Sequence, residues 1–430
     1  MEKFESDDEK DILDKKIYKA KKDKEKTSIF ISTKTIIILV ALFILFILFF
    51  IILKKYSKEK SNPLYYNVLI GDIGGMNSRL RLYNMTSNIS ITPYIYKEEN
   101  FSTVKYDSLE SLLKFFLSDI NPSYKPNYAF ISIPGPIEDN KIITLQNIPH
   151  WVLDNGTELG NKLDIDNFFF INDFVVNGYA IQTKLIKDKD YLILNDVQPK
   201  KSGAKLMIGP GTGLGMGYLL KNEGDKYYTI GSSEGGGRDY SPKTKLDLDL
   251  RNFIKKEANL ENVSFGKICS SKSLIPIYKF LHLYENNNSD ENPKYKREKN
   301  LAKKIDNFNM YNNLEKINEI NSELIQKGIK DECQLSKKTL FVFIEIFGEI
   351  AGDLALFSLA YNGVYLLGRL TREITPLILD TTIFMDHFKN KDHFWFLLER
   401  IPVYLVQNQN IELIGVTEAA RRYFEDIENK

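Results

Sequence analysis

From Tyr65 onward the sequence predicts an α/β protein in two lobes, and three observations carry that prediction. Short β-rich runs alternate with helical patterns along most of the chain. Two glycine-rich hairpins recur, VLIGDIGGMNSRLRLY at Val68–Tyr83 and LMIGPGTGLGMGYLL at Leu206–Leu220. Between them an apolar strand, NFFFIN, runs into Asp173 and an apolar helix. A carboxylate therefore stands at the carboxyl end of a strand, where open α/β sheets bind their ligands.

The elements follow in order. Val68–Gly71 and Ser78–Tyr83 read as strands paired around Gly71, Gly74 and Gly75. Leu109–Leu117 has the spacing of an amphipathic helix. Tyr128–Pro134 and Lys141–Leu145 read as strands, and Asn167–Asn172 as a strand that opens a helix over Phe174–Thr183. The second hairpin places Gly209, Gly211, Gly213 and Gly215 at its turn. Glycines there let the backbone approach a ligand closely, and successive N–H groups make an anion site. Leu340–Leu359 is a long apolar helix, Gly363–Leu367 and Val403–Val406 are strands, and Glu418–Glu428 is a terminal helix. Glu285–Lys330 interrupts the pattern, and its first part, ENNNSDENPKYKREKN, reads as a solvated loop.

Bulk properties exclude several classes. Hydrophobic residues make up 43% and charged residues 27%, ordinary for a globular protein. A net charge of +1, with no aromatic-plus-basic cluster, argues against nucleic acid. Cys269 and Cys333 lie far apart and form no zinc-type pair, and His150, His282, His387 and His393 are not spaced as metal ligands. Sequons at Asn84, Asn88, Asn100, Asn155, Asn262 and Asn287 carry little weight in an Asn-rich chain.

The N-terminal region reads differently. Residues 1–34 are charged and lack a core pattern, which predicts a disordered tail or a loose helix. Thr35–Leu53 is uncharged and almost wholly apolar, just long enough for a single membrane span, and 54–64 is a linker.

Two carboxylates are candidates for chemistry. Asp173 could accept a proton from a substrate hydroxyl. On local pattern alone, however, it reads better as a helix N-cap. Glu234, in SEGGGRDYSP, precedes three glycines, an arrangement suited to close approach by a polyhydroxyl ligand; the alternative is a flexible turn with a surface Glu.

In order, GDIGGMNSRLRL, SIPGPI, LQNIPHW, FINDF, GPGTGLG, EGGGRDYSP, GVYLLGRL and IPVYLV resemble the bacterial-type glucokinases of the hexokinase and actin-like ATPase superfamily. The resemblance covers about Tyr65 to Phe424. It implies a two-lobed ribonuclease-H-like fold, with a small lobe of 65–183 plus 407–430 and a large lobe of 184–406. It also implies ATP-dependent phosphorylation of the glucose 6-hydroxyl, with Mg²⁺ held chiefly by ATP and water. By position, Asp173 resembles the general base, and Asn172, Glu234 and Asn147 the sugar-binding residues. Asp72, Gly74 and Gly75 resemble the first phosphate hairpin. Gly211, Thr212, Gly213 and Gly215 resemble the second, and Gly368 the adenosine-side turn. The expected partners are glucose or a related hexose, ATP and a membrane through Thr35–Leu53, with a homodimer left open.

The chain departs from the family within the site. Met76 replaces a threonine, Gly237 replaces a sugar-binding histidine, Gly266 falls on a sugar-binding glutamate, and Arg369 replaces a glycine. The second reading is therefore an impaired kinase serving as a membrane-anchored sugar or nucleotide sensor, or as a scaffold. Lysine excess before the span places the body across the membrane, whereas ATP use places it in the cytosol.

Overall fold

The computed structural model describes residues 15–16, 33–60, 63–145, 148, 150–152, 154–286, 293–308 and 314–430. The chain divides into two units, Met1–Pro63 and Leu64–Lys430. In the first, Thr33–Lys60 is a helix, α1. Its side chains are described over residues 38–51, all of them exposed. Among the described residues no helix is long and apolar enough to cross a membrane, so the span expected at Thr35–Leu53 has no structural support. Nearly all of the charged tail lies outside the described residues.

The second unit holds two sheets with matching connectivity. In the first, β1 (Tyr66–Ile73), β2 (Asn77–Met85) and β3 (Tyr94–Ser102) form an antiparallel meander. Helix α2 (Leu109–Leu117) leads to β4 (Tyr128–Ile133), parallel to β1. A ribbon of β5 (Ile137–Glu138) and β6 (Lys141–Ile142) and helix α3 (Gly156–Leu163) precede β7 (Asn167–Asn172), parallel to β4. Helix α4 (Asp173–Ala180) follows β7 at once.

After β8 (Tyr191–Ile193), the plan repeats. Strands β9 (Lys205–Pro210), β10 (Leu214–Leu220) and β11 (Thr229–Ser233) form a second meander. A helical run follows: α5 (Lys245–Glu257), α6 (Phe265–Ile268), α7 (Leu274–Glu285), α8 (Lys299–Asp306), α9 (Leu314–Ile329) and α10 (Gln334–Ser358). Strand β12 (Val364–Leu366) pairs parallel with β9. Helices α11 (Arg369–Asp380), α12 (Ile383–Lys389) and α13 (Trp395–Leu398) lead to β13 (Val403–Val406), parallel to β12 and antiparallel to β8. Helix α14 (Ile411–Glu428) ends the fold.

Period-two patterning explains the layers. Leu69 and Ile73 of β1 bury on one face with Leu112, Phe116 and Ile131. Val68 and Ile70 bury on the other with Val416 and Phe424 of α14. Each such side chain contributes about 1.5–3 kcal/mol on full burial.

Several expectations are corrected. The strand expected over Lys141–Leu145 stops at Ile142, because the Ile143 N–H turns to the Pro136 carbonyl (3.0 Å). The 285–330 region is mainly helical where described. Leu301 and Ile305 of α8, and Ile317, Ile320, Leu324 and Ile325 of α9, are buried in the main core. Their three- and four-residue spacing outweighs the polar composition. Helix α14 starts at Ile411, seven residues before Glu418, and α10 starts at Gln334.

Helix α4 is gripped where neighbours lack a side chain. A Cβ on Gly415 of α14 would lie 1.8 Å from the Val176 carbonyl oxygen, and one on Gly215 of β10 1.9 Å from the Phe174 ring. Gly178 of α4 itself meets Ile230 of β11, with 2.6 Å left for a Cβ.

Helix α14 is fixed by a buried charge cluster. Glu418 is 1% exposed. It accepts from Arg421 through both oxygens (2.7 Å each) and from Arg422 Nε (2.7 Å). Arg421 Nη2 also donates to the Tyr227 hydroxyl (3.0 Å), before β11, which ties α14 to the second sheet. Burial raises the Glu418 pKa, but the two arginines prevail and hold it below its usual value. Its contribution is therefore complete above the ordinary carboxylate range and lost as pH falls through the lowered pKa. Glu418→Gln should destabilise the fold by about 3–5 kcal/mol, because Arg422 loses its counter-charge and Arg421 keeps only Glu425. A fall in the urea midpoint at pH 7 measures this, and an unchanged midpoint would refute it.

Candidate active site

The register of the first sheet fixes the site's geometry. Asp72 of β1 lies opposite Ser132 of β4, and Ser132 lies opposite Ile171 of β7. Asp72 and Asn172 thus end up at the same edge, two strand spacings or roughly 10 Å apart. Asp173 is the next residue, at the start of α4.

Asn172, not Asp173, caps that helix. Its Oδ1 accepts from the N–H groups of Phe174 (2.9 Å) and Val175 (3.1 Å). Its Nδ2 donates to the Gly135 carbonyl (2.9 Å), which leaves one amide hydrogen for another partner. The local-pattern reading of Asp173 as the cap is corrected: Asp173 is the first helical residue.

Asp173 is half-buried among acids. Burial, then the charge of Asp72, push its carboxyl up to about 7; the Phe174 N–H pulls the other way, and Glu234 and Glu412 push further. Asp72 is pushed up to about 6 by burial and Glu412, against the pull of Arg79. Arg79 holds the cluster together. It donates to Asp72 Oδ2 through Nε (3.1 Å) and Nη2 (2.7 Å), and through Nη2 to Glu412 Oε2 (3.1 Å). Its Nη1 reaches the Gln409 carbonyl (2.9 Å) and Asn410 Oδ1 (3.2 Å), just before α14.

The first glycine turn is braced from behind. The Gly74 N–H bonds the Asn77 carbonyl (3.0 Å), so that donor is already committed to the turn. Thr103 Oγ1 donates to the Gly74 carbonyl (2.8 Å), and the Thr103 N–H donates to the Met76 carbonyl (2.8 Å). The Met76 sulfur accepts from Asn318 Nδ2 of α9 (2.8 Å). One turn along α9, Asn321 Nδ2 donates to the Ser271 carbonyl (2.6 Å), and the Ser271 N–H donates to the Gly211 carbonyl (2.8 Å). One helix therefore braces both glycine hairpins.

The second hairpin closes through a Gly211 N–H bond to the Gly213 carbonyl (2.7 Å). Thr212 rides at its tip, and a Cβ on Gly213 would meet nothing within 4 Å. Gly215 serves the packing of Phe174, beside Asp173. Gly368 has φ +97°, and a Cβ there would sit 3.1 Å from the Pro210 carbonyl oxygen, so its turn abuts the second hairpin. Glu234 is exposed and opens a turn closed by the Gly237 N–H to its own carbonyl (2.9 Å). A Cβ at Gly237 would enter open space. Arg238 stacks over Phe265 (5.4 Å), and Arg369 is exposed and bound to Glu373 (2.7 Å). Asn147 lies outside the described residues.

Arg79, Glu412 and, beside them, Arg372 of α11, whose charge Glu412 favours and Arg79 opposes, are absent from the sequence-derived site. For Arg79 a signal exists: a hairpin centred between Gly75 and Met76 makes Asp72 and Arg79 direct cross-strand partners. Glu412 and Arg372 arrive by tertiary packing and carry no local mark.

The glucokinase family model matches residues 69–423. A glucokinase from Nostoc sp. is 31% identical over 356 residues, covering 83% of this chain and 99% of that protein. A glucokinase from Synechocystis sp. is 30% identical over 362 residues, covering 82% and 98%. Among solved structures, a glucokinase from an Antarctic psychrotroph has a TM-score of 0.63 at 24% identity, covering 84% of this chain and 100% of that one. Balamuthia mandrillaris glucokinase in complex with glucose has a TM-score of 0.65 at 19% identity, covering 84% and 95%. A ROK family glucokinase from Streptomyces griseus, in complex with glucose and AMPPNP, has a TM-score of 0.52 at 14% identity, covering 82% and 99%. These structures share the α/β sugar-kinase fold.

The acid cluster makes a titration prediction. Carboxyl NMR should place the Asp173 midpoint near pH 7. Glu412→Gln should lower it, since one repelling charge is gone; an unmoved or raised midpoint would contradict the cluster.

Proposed function

The chain belongs to the glucokinase family, and on that premise we propose that it transfers the γ-phosphoryl group of ATP to the 6-hydroxyl of glucose. The observation that carries this reading is the site edge, where Asp173, Asp72 and two braced glycine hairpins converge.

In the proposed reaction the Asp173 carboxylate takes the proton of the sugar hydroxyl as that oxygen bonds to the γ-phosphorus. The bond from phosphorus to the β-bridging oxygen breaks, and ADP leaves with the electron pair. A carboxyl near pKa 7 suits this task, since it is substantially ionised at neutral pH yet basic enough to accept a proton. Asn172 has one amide hydrogen for a sugar oxygen, and the Glu234 carboxylate can accept from sugar hydroxyls. Gly75, Thr212 and Gly213 offer backbone N–H groups to phosphate, and Gly368 lets the nucleoside side approach.

Mg²⁺ belongs to the same proposal. Among the described residues no group of three or more His, Cys, Asp or Glu could hold a metal. The resemblance implies an ion carried by triphosphate and water, which would neutralise charge on the phosphates, with Asp72 as the carboxylate at hand. Both Arg79 bonds fall on Asp72 Oδ2, leaving Oδ1 for another partner.

Membrane attachment through Thr35–Leu53 is a separate proposal supported by the apolar sequence. Flotation of the full chain with lipid vesicles, and its loss in residues 62–430, tests it; a full chain that stays at the bottom of the gradient rejects it.

Coupled ADP release with glucose and ATP should give turnover, and Asp173→Asn should lower kcat by roughly 10²–10⁴-fold. Full activity in that variant would remove Asp173 from the base role. With the native chain, kcat/KM should rise as pH increases through about 7, because only the ionised carboxyl accepts a proton.

A further inference from the structure

The two glycine turns belong to different sheets, yet one helix reaches both. Asn318 and Asn321 stand three residues apart on α9 and so share a face. Toward the first turn, Asn318 Nδ2 donates to the sulfur of Met76, the residue after Gly75. Toward the second, Asn321 Nδ2 donates to the Ser271 carbonyl, whose residue grips the Gly211 carbonyl through its own N–H. The segment before Ser271 also backs this turn, since a Cβ on Gly266 would lie 3.2 Å from the Leu214 nitrogen. Neither link uses an N–H of Gly75, Thr212 or Gly213, the groups offered to phosphate.

Asn321 is unfavourable where it stands. It is 4% exposed, beside the buried Ile320 and Leu324, and its Oδ1 is buried with no hydrogen-bond partner among the described residues. A leucine of similar shape would leave no such orphaned oxygen. What the amide supplies instead is a hold on the segment behind Gly211. The Asn318 bond is of a different kind: a thioether is a weak acceptor, so this contact orients the first turn more than it stabilises the fold.

We propose that Asn318 and Asn321 are positioning residues for the triphosphate of ATP, fixing the two glycine turns at one separation so that a single polyphosphate meets both. The inference rests on the kinase reading above and acts through the turns, without contact between α9 and the nucleotide. A turn free to drift has to be ordered when the anion binds, and that ordering subtracts from affinity. Tying both turns to one helix removes the loss in advance. Freeing either end forfeits the same fit, so the two asparagines should not act independently.

The test is Asn318→Ala, Asn321→Leu and the two combined, in the full chain. Calorimetry with a non-hydrolysable ATP analogue and with adenosine is combined with steady-state KM values for ATP and glucose. In each single variant the analogue's Kd and the KM for ATP should rise about three- to tenfold. Adenosine binding and the KM for glucose should stay within about twofold, which a general loosening of the fold would not produce. The double variant should bind the analogue within about twofold of the weaker single variant. Effects that multiply would make the two residues independent contacts and overturn the proposal. So would unchanged analogue binding in either single variant, or equal weakening of adenosine and the analogue. If Asn321→Leu does not fold by circular dichroism, Asn321→Ala is read by the same criteria. A native chain that binds no ATP analogue overturns the kinase reading and this proposal together. Native binding that the variants leave intact overturns this proposal alone.

Discussion

The close approach of α4 to its neighbours is the constraint on which the site depends. Three contacts allow it, and each needs a missing Cβ: Gly415 against the Val176 carbonyl, Gly215 against Phe174, and Gly178 against Ile230. Together they lodge one short helix between α14 and the β10–β11 hairpin. Asp173 is the first residue of that helix, so its position is set by that packing. At 1.8–2.6 Å, even alanine at these positions would displace main chain at Val176, the Phe174 ring or the Ile230 side chain. The expected result is a carboxyl moved out of register with Asp72, a misplacement to which catalysis is sensitive.

Electrostatics then gives the edge its chemical character. Asp72, Asp173, Glu234 and Glu412 crowd one region, and Arg79 answers two of them directly. Burial and mutual repulsion raise the two aspartates, while Arg79 keeps Asp72 the more acidic of the pair. The same crowding that makes Asp173 a stronger base is a local liability for the fold. The buried Glu418–Arg421–Arg422 cluster, lower on α14, acts in the opposite sense and holds that helix in place.

Much of this was legible in the sequence, for identifiable reasons. The span Asn167–Asn172 and the helix Leu109–Leu117 were delimited to the residue, because apolar patterning and flanking polar caps coincide there. Both hairpins were legible because glycine and alternation agree. The capping role was misassigned by one residue, since Asn and Asp are equally good caps and only the helix phase separates Asn172 from Asp173. The 285–330 region misled because lysine and asparagine dominate its composition, while its buried residues recur at helical spacing. Glu412 and Arg372 could not be found from the sequence alone. Each sits on a helix's first turn, where a charged residue usually faces solvent, and only the packing of α11, α14 and β2 draws them toward Arg79.

The covering of β1 and β4 by α14 has a consequence for synthesis. Val68, Ile70 and Phe130 belong to the first sheet, yet their second face is closed by Val416, Ala420 and Phe424. A ribosome completes the strands long before it releases the helix that shields them. Until α14 emerges, the nascent chain carries a sheet with one unprotected apolar face, a state prone to association with chaperones or other chains. The order of translation thus runs against the order of burial, and a chain cut short before Ile411 would leave the oldest part of the fold the least finished.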